Sequence, residues 1–146
     1  MSGPRFDDVQ IGDAVPGRSF AITRADLVRY CGASGDFNTI HWSERIAREV
    51  GLPGVIAHGM FTMATAVRVV TDWVGDPGAI VQYGVRFTKP VPVDDERGAT
   101  LEVSAVVAAK DDEARTVRVD LTATTPGPDG AAVGVLGRAR AVVRLP

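Results

Sequence analysis

The sequence predicts an α+β fold in which one antiparallel sheet curves around one long helix. Three observations carry that prediction. Residues 60–74 place Met60, Phe61, Met63, Ala64, Ala66, Val67, Val69, Val70, Trp73 and Val74 around nearly the whole circumference of a helix, and a helix apolar all round belongs inside a core. After Gly78 the period changes from helical to alternating. The alternating stretches are separated by polar turns, "KDDEAR" at 110–115 and "PGPDG" at 126–130, as in a meander of antiparallel strands. The chain has 146 residues, enough for one core and too few for two ordinary ones. No repeat or composition break divides it, so one domain over 1–146 is expected.

The elements follow in order. The first residues read as an irregular arm. "RSFAIT" (18–23) alternates with Phe20 and Ile22 on one face, a short strand. Thr23 is placed to cap a helix, with Asp26 three residues on as an acidic form of the capping box. That helix puts Leu27, Tyr30 and Cys31 on one stripe, and Gly32 and Gly35 are expected to stop it. Ser43 caps a second short helix, "ERIAREV", closed by Gly51 and Pro53. The long helix follows "AHG" and ends at "GDPG" (75–78). Among the strands, Val81, Tyr83, Val85 and Phe87 share a face. So do Leu101, Val103 and Ala105; Val117, Val119, Leu121 and Ala123; and Ala139, Ala141 and Val143. Pro90 and Pro92 end the first of these strands or put it at an edge.

Composition excludes several classes. A net charge of −2 leaves no nucleic-acid footprint. No apolar run follows a basic start, so no secretory leader is expected. Thr62, Thr65 and Arg68 interrupt the longest apolar stretch, which argues against a membrane span. The single cysteine, Cys31, rules out an internal disulfide and fits a reducing cytoplasm. On an apolar helix face it reads as a small buried hydrophobe.

Two short stretches can carry chemistry. In "SGDFNTIHW" (34–42), Asp36 lies five residues before His41, a spacing that brings side chains together on neither a helix nor a strand. A loop must do it. A carboxylate beside an imidazole can hold one water between them, one group taking a proton while the other gives one. Asn38 can brace the loop by bonding nearby backbone groups. In "AHGMF" (57–61), Gly59 opens the long helix, where backbone N–H groups lack intrahelical partners and carry the positive end of the dipole. A carbonyl oxygen placed there is stabilised as it gains charge. His58 is a rival base, but a helix N-terminus disfavours an imidazolium, so it reads as neutral and supporting. A metal held by Asp36, His41 and His58 is disfavoured by their spacing. Arg86 and Lys89 read as an exposed face and a strand end, with contact to a phosphate of a pantetheine-type substrate as the rival reading; Arg138, Arg140 and Arg144 read as a solvated face, with docking of an acidic carrier protein as the rival.

"GDFNTIHW", "GLPGVIAHGMF" (51–61), the long helix and "VRFTKPV" (85–91) together resemble the MaoC-like, (R)-specific hydratase and dehydratase branch of the hot-dog superfamily. Within it they are similar to the catalytic B-type subunits of mycobacterial-type (3R)-hydroxyacyl-ACP dehydratases. The resemblance runs from about Phe6 to the C-terminus. It implies a hot-dog fold, a helix wrapped by an antiparallel sheet, working as a homodimer or with a related hot-dog subunit. Asp36 and His41 match the catalytic dyad, Gly59 the oxyanion-hole N–H and Asn38 a supporting loop position. The implied reaction is reversible syn addition of water to a trans-2-enoyl thioester of CoA or a carrier protein, giving a (3R)-3-hydroxyacyl thioester, with no cofactor and no metal. Some hydratases of this branch have a supporting serine two turns into the helix. Here that region reads Ala66, Val67, Arg68, which favours the dehydratase-subunit resemblance. Two rival readings share the fold: a thioesterase and a non-catalytic acyl-binding subunit.

Overall fold

A computed structural model describes residues 3–146. The alternation of Val, Leu and Ala from residue 99 onward closes into the core of the sheet. β3 (Ala99–Asp111), β4 (Thr116–Pro126) and β6 (Leu136–Arg144) are its centre, with β1 (Ala14–Ile22) and β2 (Ile80–Phe87) at its edges, in the order β1-β3-β4-β6-β2. All pairings are antiparallel. A three-residue strand, β5 (Ala132–Gly134), adds to β4 and was not visible in the alternation. Leu101, Val103, Ala105 and Val107 of β3, Val117, Val119, Leu121 and Ala123 of β4, and Ala139, Ala141 and Val143 of β6 are buried. β2 follows its pattern less well. Register shifts on either side of 82–84 break the alternation, and Val81 and Phe87 stay exposed.

α1 (Arg24–Ser34) begins with the expected capping box between Thr23 and Asp26. It runs through Gly32, which does not stop it. Gly35 does, as a left-handed cap with φ 76°, a conformation glycine adopts without strain. Ser43 caps α2 (Glu44–Glu49), its hydroxyl accepting from Ile46 N–H. α3 (Gly59–Val74) is the long helix crossing the sheet.

One expectation about α3 fails. It is not buried all round. Thr62, Thr65, Ala66, Val69, Val70 and Val74 face the sheet, while Met60, Ala64 and Arg68 form an exposed stripe at four-residue spacing. The threonines that interrupted the apolar run are therefore inside. The Thr62 hydroxyl donates to the His58 carbonyl one turn back, which removes most of the cost of burying it. No helix among the described residues is long and apolar enough to cross a membrane.

Candidate active site

The loop that joins α1 to α2 is built by short-range side-chain bonds. Ser34 Oγ donates to Tyr30 O and accepts from Asp36 N–H. Asp36 Oδ1 accepts from Asn38 N–H, and Asn38 Oδ1 accepts from Ile40 N–H. Two Asx turns in succession lead into a 3-10 turn at Thr39–His41. Trp42 Nε1–H donates to Phe37 O across it. This folding brings the five-residue offset together: Asp36 Oδ2 lies 4.0 Å from His41 Nε2. That is too long for a direct hydrogen bond. A water about 2.8 Å from each atom would subtend roughly a right angle between them, an ordinary water geometry.

His41 is oriented from behind. Its Nδ1 donates to Ile56 O at 2.8 Å, because a carbonyl can only accept. In the neutral ring the Nε2 lone pair then faces Asp36. Ile56 is held in turn by the strip 55–57, which pairs through backbone bonds with 91–93. Glu44 fastens the same strip: its carboxylate accepts from Arg24 and from Val55 N–H. The Arg24 guanidinium, the largest influence, holds the Glu44 carboxyl below the usual carboxylate range.

His58 is 1% exposed. Its ring stacks on His41 with centroids 3.7 Å apart, and Tyr30 meets its edge at 4.7 Å. Nε2–H donates to Asp36 O at 3.1 Å and lies 3.5 Å from Cys31 Sγ. Nδ1 is buried and has no partner among the described residues. Burial, the main cause, holds the imidazole below the ordinary histidine pKa. The bond to Asp36 O opposes the shift, and the nearby His41 adds to it. Burial thus favours the neutral ring of His58, which grips both members of the pair, the backbone of one and the ring of the other. Sequence reasoning reached the pair but not the Ile56 carbonyl or the His–His stack. A backbone acceptor leaves no mark in a sequence, and stacking depends on the loop's path.

His41 and Gly59 line one cavity of about 400 Å³, together with Ile56, Thr62, Phe87 and Leu136 among others. Gly59 is the first residue of α3, so its N–H has no intrahelical acceptor. A Cβ there would sit 3.1 Å from the Phe87 ring. The imidazole of the pair and a free helix N–H therefore meet at one apolar cavity, while Asp36 stands behind His41, outside the lining residues. Asn38 braces the loop and does not reach the cavity lining.

Asp36, His41 and His58 each offer one ligand atom, all within 4.8 Å of one another. They do not suit a zinc ion. The two rings are 21° from parallel, so lone pairs in their planes run side by side instead of converging on an ion about 2.1 Å from each. His58 Nε2 is also already committed to Asp36 O.

A helix wrapped by an antiparallel sheet, with an acid–imidazole pair at the helix start, is a hot-dog arrangement. The chain belongs to the MaoC like domain family, whose pattern matches residues 8–125. It is 42% identical over 76 residues to the 3-hydroxyacyl-thioester dehydratase X of Mycobacterium tuberculosis, covering 52% of this chain and 26% of that protein. It is 30% identical over 106 residues to the (R)-specific enoyl-CoA hydratase of Rhodospirillum rubrum, covering 72% of this chain and 73% of that one. Among solved structures, a MaoC-like dehydratase superposes with TM-score 0.92 at 41% identity, over 99% of this chain and 43% of the other. The chain thus spans about a quarter of the length of the mycobacterial relative and under half of that solved chain.

Proposed function

We propose that this chain is a hydro-lyase that adds water to, or removes it from, a thioester: a (3R)-3-hydroxyacyl-thioester dehydratase and trans-2-enoyl-thioester hydratase. The observation that carries the reading is the 4.0 Å approach of Asp36 Oδ2 to His41 Nε2, at a cavity that also holds the start of α3. The relatives named for this chemistry support it.

In hydration the pair holds the water. As its oxygen bonds to C3, the pair takes one proton from it and returns one to C2. The double-bond electrons move toward the carbonyl oxygen, and Gly59 N–H donates to that oxygen as it gains charge. His58 keeps His41 in place, and Ile56 O keeps its Nε2 lone pair turned to the water. Dehydration is the reverse. A thioesterase would instead need water delivered to the carbonyl carbon, next to the Gly59 N–H.

The chain acts as one domain and pairs with a second hot-dog unit, either its own copy or a related subunit. The exposed edge β2 with Val81 and Phe87, and Met60 on α3 beside it, support that. The substrate is an acyl-CoA or acyl-carrier-protein thioester, and the setting is cytoplasmic.

The test is to mix purified protein with trans-2-enoyl-CoA thioesters of short and long chain and follow the enoyl absorbance, with Asp36→Asn beside the wild type. Loss of absorbance in the wild type alone is the expected result. Release of free CoA would overturn the reading in favour of thioester hydrolysis.

A further inference from the structure

Two charged residues outside the cavity lining meet at the strip that carries the Ile56 carbonyl. Arg24 and Glu44 are each the first residue of a helix, α1 and α2. The Arg24 guanidinium reaches two ways: Nε donates to Val93 O at 2.8 Å, and Nη2 donates to Glu44 Oε2. The same Oε2 accepts from Val55 N–H at 3.4 Å. The pair thus holds both sides of the bridge, Val55 on one and Val93 on the other. Both side chains are half-buried, where charges are screened less than at an open surface.

The strip is short of bonds of its own. Residues 55–57 and 91–93 lie outside the main sheet and meet at one bridge, Ile56 to Pro92. Two backbone bonds join them, Val93 N–H to Val55 O and Ala57 N–H to Val91 O, both 2.9 Å. So short a two-stranded ladder is marginal alone, and Pro92 has no N–H to add to it. Ala57 and Val91, at one end, line the cavity. Arg24 and Glu44 close the other end. Between the ends, Ile56 O accepts from His41 Nδ1, and Ile56 N–H donates to Ile40 O, one residue before His41. Gly54 makes room for the clamp. A Cβ there would stand 2.9 Å from Glu44 Oε1 and 3.3 Å from Oε2, so the carboxylate reaches the strip because residue 54 has no side chain.

We propose that Arg24 and Glu44 are positioning residues for His41: the ion pair fixes the Ile56 carbonyl, and the carbonyl fixes the tautomer and direction of the imidazole. A neutral imidazole has one N–H and one lone pair. While Nδ1–H is held by Ile56 O, the Nε2 lone pair stays turned toward Asp36 and the water. A loosened carbonyl lets the proton pass to Nε2, and that ring takes no proton from the water. The effect on turnover rests on the hydro-lyase reading; the effect on the His41 ring does not.

The full chain is compared with Glu44→Ala by enoyl-thioester hydration and by long-range proton–nitrogen NMR of the histidine rings. In the variant kcat should fall about tenfold to a hundredfold with KM held, and His41 should pass from the Nδ1–H tautomer to a mixture of both. Glu44→Gln keeps an acceptor for Arg24 and Val55 N–H and should lose less. Gly54→Ala keeps both charged groups and pushes the carboxylate off the strip; Gly54 is not left-handed, so alanine brings no backbone strain. It should reproduce the loss, and it stands in for Glu44→Ala where removing the carboxylate prevents folding. Arg48→Ala removes the exposed partner of Glu44 Oε1 and should leave kcat unchanged. A lowered Tm with wild-type kcat per folded molecule and wild-type His41 signals makes the pair structural and overturns the inference. So does a loss of turnover with the His41 tautomer unaltered. A wild type that hydrates no enoyl thioester overturns the hydro-lyase reading instead, and the His41 signals then decide the inference by themselves.

Discussion

The sheet and the loop at the head of α3 follow opposite burial rules. In the middle of β3, β4 and β6, over residues 101–107, 117–123 and 139–143, every second residue is apolar and buried, as hydration alone dictates. In the loop the order is inverted. His41 and His58 are only 6% and 1% exposed, while Phe37, Trp42 and Met60, with Phe87 of β2 against Gly59, are more than half exposed. Burying two imidazoles and leaving four large apolar side chains in water costs stability on both counts. The sheet holds the protein together. The loop spends part of that stability to hold polar groups dry beside a cavity and to leave an apolar rim exposed.

Substitutions separate the two regions. The largest effect should come from the pair: Asp36→Asn and His41→Ala should each cut turnover by about 10²–10⁴-fold. Circular dichroism should show the fold kept, because the loop's other bonds and the sheet remain. Loss of folding instead would make the pair structural and erase the contrast. Next, Leu101→Ala in the sheet, where the side chain is fully buried, should cost about 2–5 kcal/mol in denaturant unfolding. Turnover per folded molecule should hold.

His58 sharpens the comparison because it belongs to the loop and yet is buried like the sheet. Its folded pKa is depressed chiefly by burial. The unfolded chain therefore binds more protons as pH falls below about 6.5, and stability must fall with it. The contribution is fully present above that pH and is lost toward the depressed folded value. His58→Asn should flatten the Tm difference between pH 7.5 and pH 5.5 relative to wild type. An identical difference in the variant would assign the acid sensitivity elsewhere. The smallest effect belongs to the capping box: Thr23→Ala removes the hydroxyl's two bonds with Asp26, leaves the residue-23 N–H bonded to the Asp26 carboxylate, and should cost about 1 kcal/mol, read as a drop of a few degrees in Tm with turnover intact.

The same inversion explains what the sequence disclosed. Alternation in β3, β4 and β6 was legible because one face of each strand is sealed, and period then equals burial. β2 was less legible, since its register shifts and edge position uncouple the two. The long apolar run of α3 was read as buried on every side. Met60 and Ala64 are apolar and exposed, so composition could not tell a core face from a rim. In the loop, the turn at Asn38 was legible from its side chain, while the backbone bonds of Ser34 and Asp36 add to it in the structure. The Ile56 carbonyl behind His41 and the stacking of His58 depend on chain paths fifteen or more residues apart, which local pattern does not encode.

The account stands on water addition at the Asp36–His41 pair. The measurement that tests it most directly is hydration of a trans-2-enoyl thioester in deuterium oxide, with the product examined by mass spectrometry and proton NMR. The wild type should give a 3-hydroxyacyl thioester with one deuterium at C2, and Asp36→Asn should give almost none. A free thiol and an intact enoyl acid, or equal product from the variant, would contradict the account.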